Sequence, residues 1–141
     1  MNIRVLTDAD YYNILCKWWK DWGWDNPPDL DLLSDDGIII FDGDEPVCAG
    51  FLYLSNSKMC YISWIVSSKT YRKKPNRKEY IKVLIDTLSR IGKDLGYTYC
   101  YINFDNKNLT HSCEELGFNK GGVTQEMIKV WEKKAQEQDQ H

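Results

Sequence analysis

Histidine is almost missing from this chain of 141 residues, which carries only His111 and His141. With so few imidazoles a dedicated zinc site is not expected. Cys-x-x-Cys pairs are missing too. The five cysteines (Cys16, Cys48, Cys60, Cys100, Cys113) are scattered and odd in number, which points to free thiols in a reducing compartment. No apolar run approaches the roughly 20 residues that a membrane-spanning helix needs. Met1-Asn-Ile-Arg lacks the apolar stretch of a signal peptide, so the expected setting is the cytoplasm, away from membranes. A large charge excess is absent as well. A net charge of −3 argues against a general nucleic-acid binder, although a local basic patch can still matter. The chain contains no internal repeat.

Aromatic residues are abundant, and four of the six tryptophans lie between Trp18 and Trp24. The length suits one domain, expected over residues 1–131, with a frayed, charged tail at 132–141. Ile3 to Leu6 reads as a first strand. Thr7 is placed to cap a helix whose first turn is acidic. Tyr11, Leu15, Trp18 and Trp22 then recur at helical spacing and form an apolar stripe. Trp18 and Trp19 lie about 100° apart on a helix, so they are not expected to share a face. Gly23 and Pro27-Pro28 end the helix.

Three strands follow, at 37–41, 47–54 and 59–66. They are joined by turns at Asp42-Gly43-Asp44-Glu45 and Ser55-Asn56-Ser57, the pattern of an antiparallel meander. A basic loop at 69–78 precedes the longest helix, expected at 79–95. Its apolar face is Ile81, Leu84, Ile85, Leu88, Ile91 and Leu95. Strands are expected at 97–104 and 124–131, with a short helix between them. The expected class is mixed α/β (α+β), with helices flanking a mostly antiparallel central sheet.

The stretch from Tyr99 to Phe118 is the most informative. An aromatic strand (Tyr99, Tyr101, Ile102, Phe104) meets a polar break at Asp105-Asn106-Lys107-Asn108. A short helix then closes on Leu116-Gly117-Phe118. The glycine suits the left-handed residue that ends a helix, with Phe118 folding back as its seal. Strand, Asn-bearing turn, short helix and Leu-Gly-Phe resemble the C-terminal half of the GCN5-related N-acetyltransferases, the GNAT superfamily. The resemblance extends roughly from Ile3 to Trp131.

That resemblance implies a GNAT fold and an acetyl-CoA cofactor. Its pyrophosphate would lie at the start of the long helix, where free N–H groups attract phosphate. The family's loop there follows Arg/Gln-x-x-Gly-x-Gly/Ala, whereas this chain reads Arg72-Lys73-Lys74-Pro75-Asn76-Arg77. The leading Arg matches and both glycines are gone. Pro75 removes an N–H donor. Side-chain charge from Lys69, Arg72, Lys73, Lys74, Arg77 and Lys78 would replace those contacts, making binding sensitive to salt; a solvated basic loop is the plainer alternative. Ile65, Val66 and Ser67 occupy the place where the family aims a backbone N–H at the thioester carbonyl. Ser63 stands where many relatives carry a Glu that helps take the amine's proton. Cys113 stands at the usual acid Tyr, either as a proton donor or as a small buried core thiol. Asn106 would bond the pantetheine or its own loop. The acceptor side would be built from Trp19, Trp24 and Asp25, with Asp21 and Asp29 nearby, which favours a cationic acceptor.

Three functions are compatible with this reading. The first is an acetyl-CoA-dependent N-acyltransferase acting on an unidentified small-molecule or protein amine. The second is a catalytically idle GNAT-fold module that binds a CoA-like ligand or a protein partner. The third is an acyltransferase that modifies nucleic acid, for which the basic loop is the only support. A homodimer is compatible with each.

Overall fold

The computed structural model describes residues 1–104 and 107–131. Asn106 and the tail at 132–141 lie outside the described residues. Five strands form one sheet in the order β1-β2-β3-β4-β5. They are β1 (Asn2–Val5), β2 (Asp36–Asp42), β3 (Glu45–Leu54), β4 (Met59–Ser67) and β5 (Tyr99–Ile102). The first four pair antiparallel, and β5 joins β4 in parallel. The parallel step follows from the long helix α3 (Arg77–Asp94), which carries the chain back along the sheet. The mixed, mostly antiparallel sheet flanked by helices is the expected class.

Strand alternation divides the core between the two faces of the sheet. Ile38, Ile40, Cys48, Leu52, Cys60 and Ile62 point toward α3, where Tyr80, Ile81, Leu84, Ile85 and Leu88 cover them. Ile39, Ala49, Phe51 and Val66 point the other way, under Tyr11, Leu15, Trp18 and Trp19. The approach of α3 is close. A Cβ on Gly92 would stand 2.5 Å from the Cys60 Sγ, and one on Gly50 would stand 3.3 Å from Leu88 of α3.

The first helix begins at α1 (Asp8–Asp10) with a complete capping box. The Asp10 N–H donates to Thr7 Oγ1 at 3.3 Å, and the Thr7 N–H donates to the Asp10 carboxylate at 2.8 Å. The helix then widens into one π turn at Tyr11–Leu15, where the Cys16 N–H reaches the Tyr11 carbonyl, before α2 (Cys16–Asp21). This turn corrects the expected tryptophan pattern. Trp19 is 2% exposed and Trp22 is 37% exposed. The extra residue in the wide turn rotates everything after it by about 100°, so Trp19 takes the inward place four residues after Leu15. Trp18 is buried as well, because Leu30 and Leu33 of the following loop fold over the helix and give it a second apolar wall.

After β5, helix α4 (Asn108–Glu115) ends as its sequence predicts. Gly117 has φ 97°. The Phe118 N–H reaches the Cys113 carbonyl and the Gly117 N–H reaches that of Glu114, each at 3.0 Å. These two bonds are the Schellman pattern. The strand expected at 124–131 does not form. The segment carries no ladder, and Val123 before it is fully exposed. Its pattern suits a strand, but a strand is stable only when another edge pairs with it.

Candidate functional site

The sheet opens at the C-terminal end of β4. Pairing of β4 with β5 runs from Met59↔Tyr99 to Ile62↔Ile102 and stops there. On its other side β4 stays with β3, but Ala49 faces Val66 while Phe51 faces Ser63. One residue, Gly50, therefore opposes two, Trp64 and Ile65. This is a β-bulge, and Trp64 at its centre has φ 57°, the one positive φ outside glycine among the described residues. The bulge follows directly on the part of β4 that pairs with β5. It also reverses which side chains face α3: Ile65 joins that core while Trp64 and Val66 face the other. Ser67 consequently points to α3, where it meets Arg77.

Arg77 opens α3. Its Nη2 donates to Ser67 Oγ at 3.0 Å. Its Nε is buried without a partner, and burial lowers the guanidinium's pKa from its ordinary value. No side chain caps this helix end. The loop before it is a run of tight turns rather than a glycine bend, with Tyr71 N–H to the Ser68 carbonyl and Lys74 N–H to that of Tyr71. Tyr71 is the anchor. Its ring is fully buried, its hydroxyl donates to Asp42 at 2.8 Å, and the Asn76 side-chain amide lies 3.3 Å from the same hydroxyl. Asn76 thus holds the loop's shape from the expected position.

The loop's cations are unequally engaged. Lys69 donates to the Asp21 carbonyl at 3.0 Å and lies over the Trp22 ring, with Arg72 over the same ring at 5.8 Å. Trp22 in turn donates its indole N–H to the Ser67 carbonyl at 2.8 Å. Lys74 pairs with Glu45 at 3.1 Å. Lys73 and Lys78 are exposed.

Helix α4, which packs on α3, carries Ser112 and Cys113, both buried. Ser112 Oγ has no hydrogen-bond partner. Cys113 packs into the α3-side core, and burial pushes its thiol up from the ordinary range. Two buried polar atoms without a partner thus stand on neighbouring helices, Arg77 Nε on α3 and Ser112 Oγ on α4. Buried polar groups are rarely left unpaired. A ligand with phosphate and amide groups would fit this donor set, apart from the N–H that Pro75 lacks.

On the opposite face, the Trp24 ring lies 6.4 Å from that of Trp19, tilted, and 5.9 Å from that of Trp64, edge to face, so an aromatic row runs from the helix to the bulge. Trp24 and Asp25 are exposed, while Trp19 lies within the core. Ser63 is half-buried opposite Phe51. A cavity of about 820 Å³ lies beyond this row. Its lining includes Asp8, Tyr12, Asp29, Asp31, Asp35 and Phe51, but none of the three expected acceptor residues. Sequence reasoning missed Trp64, Ser112 and this cavity. No residue type announces a bulge or an orphaned hydroxyl. Tyr71 did carry a signal, as a lone aromatic among cations.

Among the described residues no helix is long and apolar enough to cross a membrane. No family model matches the chain, and no curated protein matches it by sequence. Solved structures do match its fold. A Thermus thermophilus protein aligns over 94% of this chain and 100% of its own, with 13% identity and a TM-score of 0.67. A Trypanosoma brucei acetyltransferase aligns over 91% and 99%, with 16% identity and a TM-score of 0.65. An aminoglycoside N-acetyltransferase in complex with CoA aligns over 92% and 100%, with 15% identity and a TM-score of 0.62. With its meander, bulged fourth strand, crossover helix and parallel fifth strand, this chain has the fold of the GCN5-related N-acetyltransferases.

Proposed function

We propose that this protein is an acetyl-CoA-dependent N-acyltransferase that acetylates an amine. The observation that carries the reading is the bulge at Trp64. It lies just past the end of the β4–β5 ladder, and beyond it Ser67 meets Arg77 at the start of α3. When bound, the cofactor supplies an acetyl thioester already activated for transfer.

Each part of the gap has a role in this reading. Arg77, with the exposed Arg72, Lys73 and Lys78, holds the anionic end. Asn76 keeps the loop in shape through Tyr71. Main-chain N–H groups of Ile65, Val66 and Ser67 that are not used toward β3 face the vacated edge. One of them polarises the carbonyl, a contribution of about 3 kcal/mol when aimed at the developing oxyanion. The amine approaches from the Trp24 side past Ser63, and Asp25 with the acidic cavity favours a cationic one. Cys113 stays protonated, the state a proton donor needs, and Cys113→Ala tests whether the reaction uses it. Asn106 keeps its proposed contact with the pantetheine or its own loop.

Titration calorimetry with acetyl-CoA and with CoA tests the binding half. Micromolar affinity that weakens steeply with salt supports the reading. Absence of heat at millimolar ligand removes it. Thioester consumption across an amine library tests the chemistry. A second reading, an idle GNAT-fold module, is favoured by the engagement of Lys69, Arg72 and Lys74 with the protein itself. Binding without turnover on any amine would select it.

A further inference from the structure

Three of the five cysteines gather in the core beneath α3. Cys60 on β4 and Cys100 on β5 are register partners in the parallel ladder, so their side chains leave the sheet on the same face. Both pack in the α3-side core, and Cys113 of α4 packs there with them. The Cys60 and Cys100 thiols hydrogen-bond each other. Paired strands lie about 4.8 Å apart, inside the roughly 4.4–6.8 Å of Cα separation that a disulfide bridges. Side-chain rotation therefore suffices to join the two sulfurs. The other two thiols have no such neighbour across a ladder. Cys48 faces Ser67 on β4, and Cys16 packs on the other side of the sheet. Access also differs within the pair, since Cys60 is 1% exposed and Cys100 is half-buried.

We propose that Cys60 and Cys100 form a reversible thiol–disulfide switch, in which hydrogen peroxide oxidises the half-buried Cys100 and Cys60 resolves the product into a bridge between β4 and β5. The Cys100 thiolate attacks one peroxide oxygen. The O–O bond breaks, the other oxygen leaves as water, and Cys100 becomes a sulfenic acid. The Cys60 sulfur then attacks the Cys100 sulfur, forming the S–S bond and breaking the S–O bond, whose oxygen leaves as a second water. Two thiols thus give up two protons and two electrons, and one peroxide becomes two waters. A small dithiol reverses the step by exchange. Burial and the adjacent Cys60 sulfur hold the Cys100 thiol above its ordinary range, so the pair stays reduced until oxidant is sustained. The bridge would fasten the ladder two residues before it ends at Ile62↔Ile102. This switch does not depend on the acyltransferase reading.

Peroxide treatment of the full chain tests it, followed by alkylation of the remaining thiols, intact mass and peptide mapping. The expected product has lost two hydrogens, carries a Cys60–Cys100 link, melts several degrees above the reduced form and reverts with dithiothreitol. Cys100→Ser should form no link and show no upward shift of the melt. Cys60→Ala leaves Cys100 without a resolving thiol, so that variant should gain oxygen at Cys100 instead. If both thiols stay alkylatable in the folded parent at a peroxide dose that oxidises the urea-unfolded chain, the proposal is wrong. Oxygen gained at Cys100 of the parent without a link would overturn it too. So would a link joining Cys100 to Cys113 or to a second chain.

Discussion

The Arg77 guanidinium donates to the Ser67 hydroxyl at 3.0 Å and so ties the first turn of α3 to the last residue of β4. The same side chain keeps a buried Nε without a partner. Arg77 is therefore both a brace of the gap and an unfinished donor set.

Replacing Arg77 with Met keeps much of the stem's packing and removes the charge. If the gap takes an anionic cofactor, affinity for CoA falls ten- to a hundredfold, the effect of losing roughly 1.5–3 kcal/mol of charged hydrogen bonding. The melt falls as well, because the Ser67 hydroxyl left without this donor is buried. Calorimetric affinity compared with the melting temperature separates the two effects, and unchanged affinity would take Arg77 out of the site.

Trp64 occupies a backbone conformation that side chains avoid, at φ 57°. Both Trp64→Ala and Trp64→Gly lose the ring contact with Trp24. Only Gly also relieves the left-handed strain, so it should be the more stable of the two by about 1 kcal/mol. Urea unfolding of the pair measures this difference. Equal stabilities would mean that the bulge is unstrained or relaxes in both.

Gly92 lets α3 close on β4. In Gly92→Ala the new methyl would stand 2.5 Å from the Cys60 sulfur, and the overpacking should cost about 1–3 kcal/mol despite alanine's better helix propensity. Adding Cys60→Ala removes the clashing atom. The double variant should therefore be more stable than the two single losses summed, a positive coupling read from denaturant melts.

Arg4 holds the Asp10 carboxyl at about 2, below its ordinary 3.8, chiefly through a direct hydrogen bond of 2.6 Å. A depressed carboxylate stabilises the fold fully above its unfolded value near 4, and that stability is lost as the pH falls toward 2. Because Arg4 is half exposed, the pair together with the cap should contribute about 1–2 kcal/mol, less than the shift alone implies. Asp10→Asn should therefore be less stable than the parent at pH 7, and the gap should narrow between pH 4 and pH 2. Melts across that range check it, and a gap that does not vary with pH would contradict it.

Much of the fold was legible because its signals are local. The hairpin turn at Gly43, the cap at Thr7, the stop at Gly96 and the Gly117–Phe118 seal each follow from backbone preferences of a few adjacent residues. The candidate site was legible in outline, as a basic loop before a long helix. Its particulars were not. Trp19 lies inside and Trp22 outside because one wide turn re-phases the helix. The loop is shaped by Tyr71, which reaches across to Asp42 on the hairpin. That contact spans 29 residues, beyond the reach of any local pattern.

By itself the sequence determined the kind and order of the elements from β1 to α4 and the turns between them, since alternation, helical spacing, glycine and proline act within a few residues. The tertiary structure alone decided three things. It set the bulge at Trp64, turned Ser67 toward Arg77, and left 123–131 without a ladder. Each depends on what a distant segment brings alongside. A bulge exists only relative to the strand it faces, and a strand former becomes a strand only when an edge is there to receive its hydrogen bonds.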